Sequence, residues 1–171
     1  MSILNITPSN FENGLICIST NVHTESELQT YIDEFEVVFL KDMLGCELYD
    51  LFVADLDNGV PVAQIYKDIF NPFCIDKNNC GVQRVSEGII KMIEKFIYWE
   101  YTRDQKVKNT TSGNVVNDNE SSRETHFPES RIYSTYNQGI KSYCAIQWFI
   151  CENLSDYPKF NGLTKRKTSW L

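Results

Sequence analysis

No stretch of this chain limits its possible folds as much as Ile89 to Asp104, which reads I-I-K-M-I-E-K-F-I-Y-W-E-Y-T-R-D. At about 100° per residue, Met92, Trp99, Phe96, Ile89, Ile93, Ile97, Ile90 and Tyr101 fall on one broad apolar face of a helix. Lys91, Lys95, Thr102 and Glu94 fall on the opposite side. Glu100 projects from the middle of the apolar face, with Arg103 and Asp104 within helical reach. A carboxylate placed there must be paired, neutralised or at an interface, because an unpaired buried charge is prohibitive. The whole helix is expected from about Val82 to Gln105, as the spine of a helical bundle.

Four further helices, one of them short, flank it before and after. Thr24 followed by Glu27 reads as a capping box, with Glu25 favourable at the helix start. Leu28, Tyr31, Ile32, Phe35, Phe39 and Met43 then keep one face apolar until Leu44-Gly45. A second helix is expected from Cys46 to Leu56, followed by a turn at Asp57-Asn58-Gly59 and a short helix opened by Pro61 and running through Ile69. Residues 70–81 read as an irregular connector. The last long helix spans roughly Ser130 to Leu154, lined by Ile132, Tyr136, Ile140, Tyr143, Ile146, Ile150, Cys151 and Leu154. Gln147 sits near the centre of that face, while Trp148 and Phe149 point to either side of the back. Two aromatics there imply a second burial surface, covered by another segment or by another copy.

The parts outside these helices are an extended N-terminal arm (1–23), a polar loop (106–128) and a basic C-terminal tail (163–171) around a helical domain at 24–162. In the arm, Leu15-Ile16-Cys17-Ile18 reads as a possible short strand. In the loop, Val115-Val116 suggest a small hairpin or a contact surface. The expected class is therefore mainly all-α, a bundle of about four main helices.

Charge is divided along the chain. Residues 1–60 hold 11 acidic side chains against the single base Lys41, while the chain as a whole carries −7 and ends in Lys165-Arg166-Lys167. Net acidity argues against broad nucleic-acid binding, and the asymmetry suits head-to-tail contacts between copies. The six cysteines (17, 46, 74, 80, 144, 151) form no C-x-x-C pair, and neither His23 nor His126 has a metal-ligand partner at helical spacing. No metal or cofactor is expected. No charged-then-apolar leader opens the chain and no apolar run approaches about 18 residues. The chain therefore reads as cytosolic, without a membrane partner, its thiols reduced and acting as small hydrophobes.

Chemistry has one candidate footprint, Glu100 with Asp104, which suits a small hydrolase or nuclease if burial raises a carboxyl pKa. The competing reading is a buried polar cluster in which Arg103 neutralises Glu100 and Gln147 supplies hydrogen bonds across helices. No histidine, second acidic pair or glycine-rich loop joins the group, so the second reading is preferred. A monomeric adaptor protein is a further alternative.

Leu44-Gly45-x-x-Leu48-Tyr49, the block from Phe96 to Asp104, and Ile146-Gln147-Trp148-Phe149-Ile150 with Tyr157-Pro158 resemble the small head–tail connector proteins of tailed phages, in particular the neck-ring proteins of crAss-like phages. The resemblance runs from about Thr24 to Gly162. It implies a virion structural protein that is not an enzyme and carries no catalytic residues. Copies would be assembled in the bacterial cytoplasm into a ring of about twelve. That ring would dock beneath the portal and against other neck and tail proteins, passing genomic DNA without specific binding. On this reading the candidate interface residues are Trp148, Phe149, Val115, Val116, Lys165, Arg166 and Lys167.

Overall fold

The computed structural model describes residues 2–18, 22–77, 82–105, 107–110, 113–116 and 127–161. The described chain is mainly α-helical, with five α-helices: α1 (Val22–Leu44), α2 (Cys46–Ala54), α3 (Gln64–Phe70), α4 (Ile89–Gln105) and α5 (Phe127–Glu152). Three two-stranded antiparallel ribbons join them: β1 (Leu56–Asp57) with β2 (Val60–Pro61), β3 (Phe73–Lys77) with β4 (Val82–Ser86), and β5 (Val107–Thr110) with β6 (Gly113–Val116). The four long apolar patterns seen in the sequence correspond to α1, α2, α4 and α5.

α4 is the spine. It packs most extensively on α5 and next on α1. Phe96, fully buried, meets Phe39 of α1 at 4.9 Å between ring centroids, and Tyr136 and Tyr143 of α5 at 5.5 and 6.3 Å. Gly139 lets α5 approach this ring, the interaxial distance being set by the side chains at the contact.

The expected polar side of α4 is not a solvent face. Glu94 is wholly buried and Lys95 nearly so, whereas Lys91 remains exposed. The N-terminal residues lie over this side as a packed strap with two 3-10 turns, Pro8–Phe11 and Gly14–Ile16. The second turn stands where a short strand was expected. Leu4, Ile6, Phe11 and Ile16 are buried beneath the strap, and Asn10 Nδ2 donates to Glu94 Oε1 at 2.8 Å. Helical periodicity correctly placed Glu94 opposite the apolar stripe, but a segment distant in sequence covers it.

Two boundaries also move. α4 begins at Ile89, because Val82–Ser86 pairs with Phe73–Lys77 instead of continuing the helix. Gly88 makes the break: its φ is +89°, and a Cβ there would lie 2.8 Å from the carbonyl oxygen of Phe70. Within the expected irregular connector, Phe73–Lys77 is strand, with Phe73 and Ile75 partly covered and Cys74 between them exposed, and residues 78–81 lie outside the described residues. Pro61 belongs to β2, opposite Leu56, and α3 starts only at Gln64. Asp55 organises that start by accepting the N–H groups of Val62 and Ala63 at 2.9 and 2.8 Å.

α1 begins at Val22, which puts Thr24 inside its first turn instead of at its cap. Among the described residues the thiols do not fill the core: Cys17, Cys46, Cys74 and Cys144 are exposed and Cys151, half-buried, packs against its edge, while Cys80 lies outside the described residues. No helix among the described residues is long and apolar enough to cross a membrane.

Candidate functional site

The last turn of α4 carries the residues with chemical potential. Arg103 Nη2 lies 2.6 Å from Glu100 Oε2, three residues earlier on the helix. Its guanidinium also stacks over Trp99, 4.6 Å from the ring centroid, and its Nε donates to Asp104 Oδ1 at 3.1 Å. One cation therefore serves two carboxylates and an aromatic face, a geometry that a planar guanidinium satisfies better than an ammonium. The Glu100 side chain is 11% exposed and that of Arg103 51%, so the pair runs from the protein interior to water.

Tyr31 of α1, which periodicity assigned only to an apolar stripe, joins the cluster by donating its hydroxyl to Asp104 Oδ2 at 3.2 Å. Burial, and then the Asp104 carboxylate, push its pKa up to about 12. Tyr101 meets the Tyr31 ring edge-on at 5.3 Å, and burial raises its hydroxyl as well. Beside them Gln105 Nε2 donates to Glu27 Oε1 at 2.8 Å. Together these contacts clamp α1 to the C-terminal end of α4.

Gln147 is not part of this cluster. Its Nε2 donates to the backbone carbonyl of Met43 at 3.0 Å and to Tyr143 Oη at 3.2 Å, while Tyr143 Oη donates to the carbonyl of Asp42 at 3.0 Å. The last turn of α1 has carbonyls with no intrahelical partner, and α5 supplies donors to them. The expected bond across helices is present, but it joins α5 to α1 and leaves Glu100 to Arg103.

The aromatic pair on the back of α5 finds partners within the chain. Phe149 packs on Phe73 of β3 at 5.3 Å and on Tyr157 at 6.4 Å, and Arg84 of β4 lies 4.7 Å from the centroid of Trp148. The β3–β4 ribbon thus takes surface that the sequence left to another segment or another copy. Val115 and Val116 stand in β6, paired with Lys108 and Val107 in a hairpin at the end of α4. Lys165, Arg166 and Lys167 lie outside the described residues, as does His126.

Two buried, hydrogen-bonded carboxylates were given no role by the sequence reading. Glu94 has been placed above. Glu36 of α1 is fully buried and accepts the backbone N–H of Ile3 at 2.9 Å and of Leu4 at 2.7 Å. A charged residue within an apolar helical run was the available signal; its partner, backbone N–H groups more than thirty residues earlier, has no signature in sequence. Among the described residues no group of three or more His, Cys, Asp or Glu side chains is arranged to hold a metal ion.

A groove of about 350 Å³ runs between the strap and α1, lined by Ser2, Asn5, Ile6, Thr7, Gln29 and Asp33. It contains none of the α4 cluster. Comparison with family models, with curated proteins and with solved structures finds no match to this chain.

Proposed function

We propose that this chain is a structural subunit of a phage neck, a head–tail connector that oligomerises beneath the portal around the DNA channel. The observation that carries the reading is the surface around α2 and the β1–β2 turn. There Leu51, Val60 and Val62 remain 46%, 51% and 58% exposed on elements that also carry exposed Asp50 and Asp57, while Glu47 is paired with Lys159 at 2.9 Å. Exposed apolar side chains rimmed by charged residues are what a subunit interface presents before assembly. The basic run Lys165-Arg166-Lys167 supplies the opposite charge from another copy, as a head-to-tail ring requires.

Two features agree with a part in place of a catalyst. The carboxylates of the α4 cluster are engaged by Arg103 within the helix and by Tyr31 of α1, the second contact locking the two helices together. The aromatic block and the L-G-x-x-L-Y run that resemble the connector family lie in the spine and at the α1–α2 junction, where they fix the body of the subunit. An acidic wall also suits a channel through which DNA slides without being gripped.

Sedimentation and particle imaging of the purified protein, alone and with a phage portal, test the proposal. Rings or portal-bound assemblies are expected. A chain that stays monomeric at high concentration and ignores the portal overturns it. Mass spectrometry of purified virions is expected to find the protein among the particle components.

A further inference from the structure

We infer that residues 2–11 form an exchangeable strap: the seat they occupy on α1 and α4 receives the same segment of a second copy when copies assemble. This rests on the assembly reading above and names the segment and the partner through which neighbouring subunits interlock.

The seat recognises the strap without reference to the chain it belongs to. Glu36 takes the Ile3 and Leu4 N–H groups on its two oxygens, and Glu94 takes the Asn10 side-chain amide on one oxygen while Lys91 neutralises the other at 2.7 Å. Leu4, Ile6 and Phe11 are 3%, 1% and 0% exposed, so each is docked on its inner side. Every one of these contacts is available to an identical segment from a neighbour. Without an occupant, the apolar surface of α1 and α4 that Leu4, Ile6 and Phe11 cover would face water, which is costly. The seat is therefore filled in any stable state, from its own chain in a lone subunit or from a neighbour in an assembly.

The hinge lies at Gly14. Glu12, Asn13 and Gly14 are exposed, Gly14 has φ +87°, and a Cβ built there would meet nothing within 4 Å. No packed side chain stands on Gly14 itself, and opening the turn breaks one bond to the body of the subunit, from Arg131 Nη2 to the Gly14 carbonyl at 3.4 Å. Exchange gives up the Ile18 N–H to Phe11 carbonyl bond at 2.7 Å, which closes the strap onto residues 16–18, and remakes the contacts of the seat. Because nearly all contacts are conserved, local concentration decides the balance: the chain's own strap wins in a dilute monomer, and a neighbour's competes once subunits are held side by side.

The test places a photoreactive benzophenone amino acid at the exposed Thr7, which lines the strap groove together with Gln29 and Asp33. Unlabelled and nitrogen-15-labelled chains are mixed as monomers, allowed to assemble, irradiated and digested. In the assembled fraction, peptides joining residue 7 to α1 around Gln29 are expected to pair unlike isotopes about as often as like ones, whereas monomers give like pairs only. Assemblies in which every such peptide pairs like isotopes overturn the exchange while leaving the assembly reading intact. Absence of any assembly, with or without portal, overturns that reading and this inference together. The same residue at exposed Ser9 is an independent position, and failure of both to reach α1 in folded protein also overturns the proposal.

Discussion

Gly139 of α5 lies against the ring of Phe96 on α4, so that a Cβ at position 139 would sit 2.7 Å from Phe96 Cε1. The ring cannot step aside, since it is fully buried and bounded by Phe39, Tyr136 and Tyr143. Replacing a helical glycine by alanine ordinarily gains up to about 1 kcal/mol. Overpacking a core costs about 1–3 kcal/mol. Gly139→Ala is therefore expected to lose about 1–2 kcal/mol net, read as a lower urea midpoint. An unchanged or raised midpoint would show that the helices separate easily here.

Glu100→Gln separates structure from catalysis. The substitution keeps the volume and removes the charge that faces Arg103, which is half in water and retains Asp104. The expected loss is about 1 kcal/mol after solvent screening, with a similar coupling energy in a double-mutant cycle with Arg103→Gln. Detection of a hydrolytic activity that Glu100→Gln abolishes without loss of stability would instead favour the enzyme reading.

The alkaline limb of stability is expected to depend on buried tyrosines. Tyr31 is raised from 10.0 to about 12, by burial first and the Asp104 carboxylate next. A folded pKa above the unfolded one gives stabilisation that is complete below pH 10 and is lost as pH rises through about 12. Tyr157, fully buried with its hydroxyl donating to the Ile65 carbonyl at 2.6 Å, is pushed up by burial in the same direction. Tyr31→Phe is expected to flatten the fall in thermal midpoint across this window. Tyr157→Phe does the same and also costs about 1 kcal/mol at neutral pH through the lost hydrogen bond. A fall as steep as that of the unsubstituted protein in both variants would assign the alkaline transition to other groups.

Glu36 controls the strap. Burial raises its pKa above the ordinary 4.5, against the lowering effect of the Ile3 and Leu4 N–H groups. Asp33 on the same helix adds to the rise, and Tyr49 of α2 feels the Glu36 charge. The associated stabilisation is fully present below pH 4.5 and is lost as pH rises through the raised value, so the ionised carboxylate is the less comfortable occupant. Glu36→Gln is expected to remove this pH dependence. It also presents an amide NH₂ to one of two buried N–H groups, a mismatch worth about 1–3 kcal/mol. Hydrogen exchange at Ile3 and Leu4 should then quicken about tenfold or more at neutral pH; an unchanged rate would mean that apolar contacts alone hold the strap.

Much of the helical body was legible because a 3.6-residue period survives whatever tertiary structure surrounds it. Leu28, Ile32, Phe39 and Met43 on α1, and Ile140, Tyr143, Ile146 and Ile150 on α5, are buried as their spacing demands. The β3–β4 ribbon was missed although Phe73 and Ile75 alternate with Cys74, because three or four alternating residues are weak beside the turn signals Asn71-Pro72 and Gly81. Gly88 was the better signal, a positive-φ residue standing where the helical pattern was extrapolated.

The sequence by itself determined the class of this protein, the amphipathic helices and the local Glu100–Arg103 pair, because those depend on residues three or four apart. Only the tertiary structure decided what covers each helix. Glu94 changed from a surface acid to a buried anchor when residues 2–18 folded over α4. Gln147 was assigned to the end of α1, and Phe149 to the β3–β4 ribbon and Tyr157. The physical reason is that a polar or aromatic side chain has several possible partners of equal chemistry. Which one it meets is set by chain segments tens of residues away, whose approach no local pattern encodes.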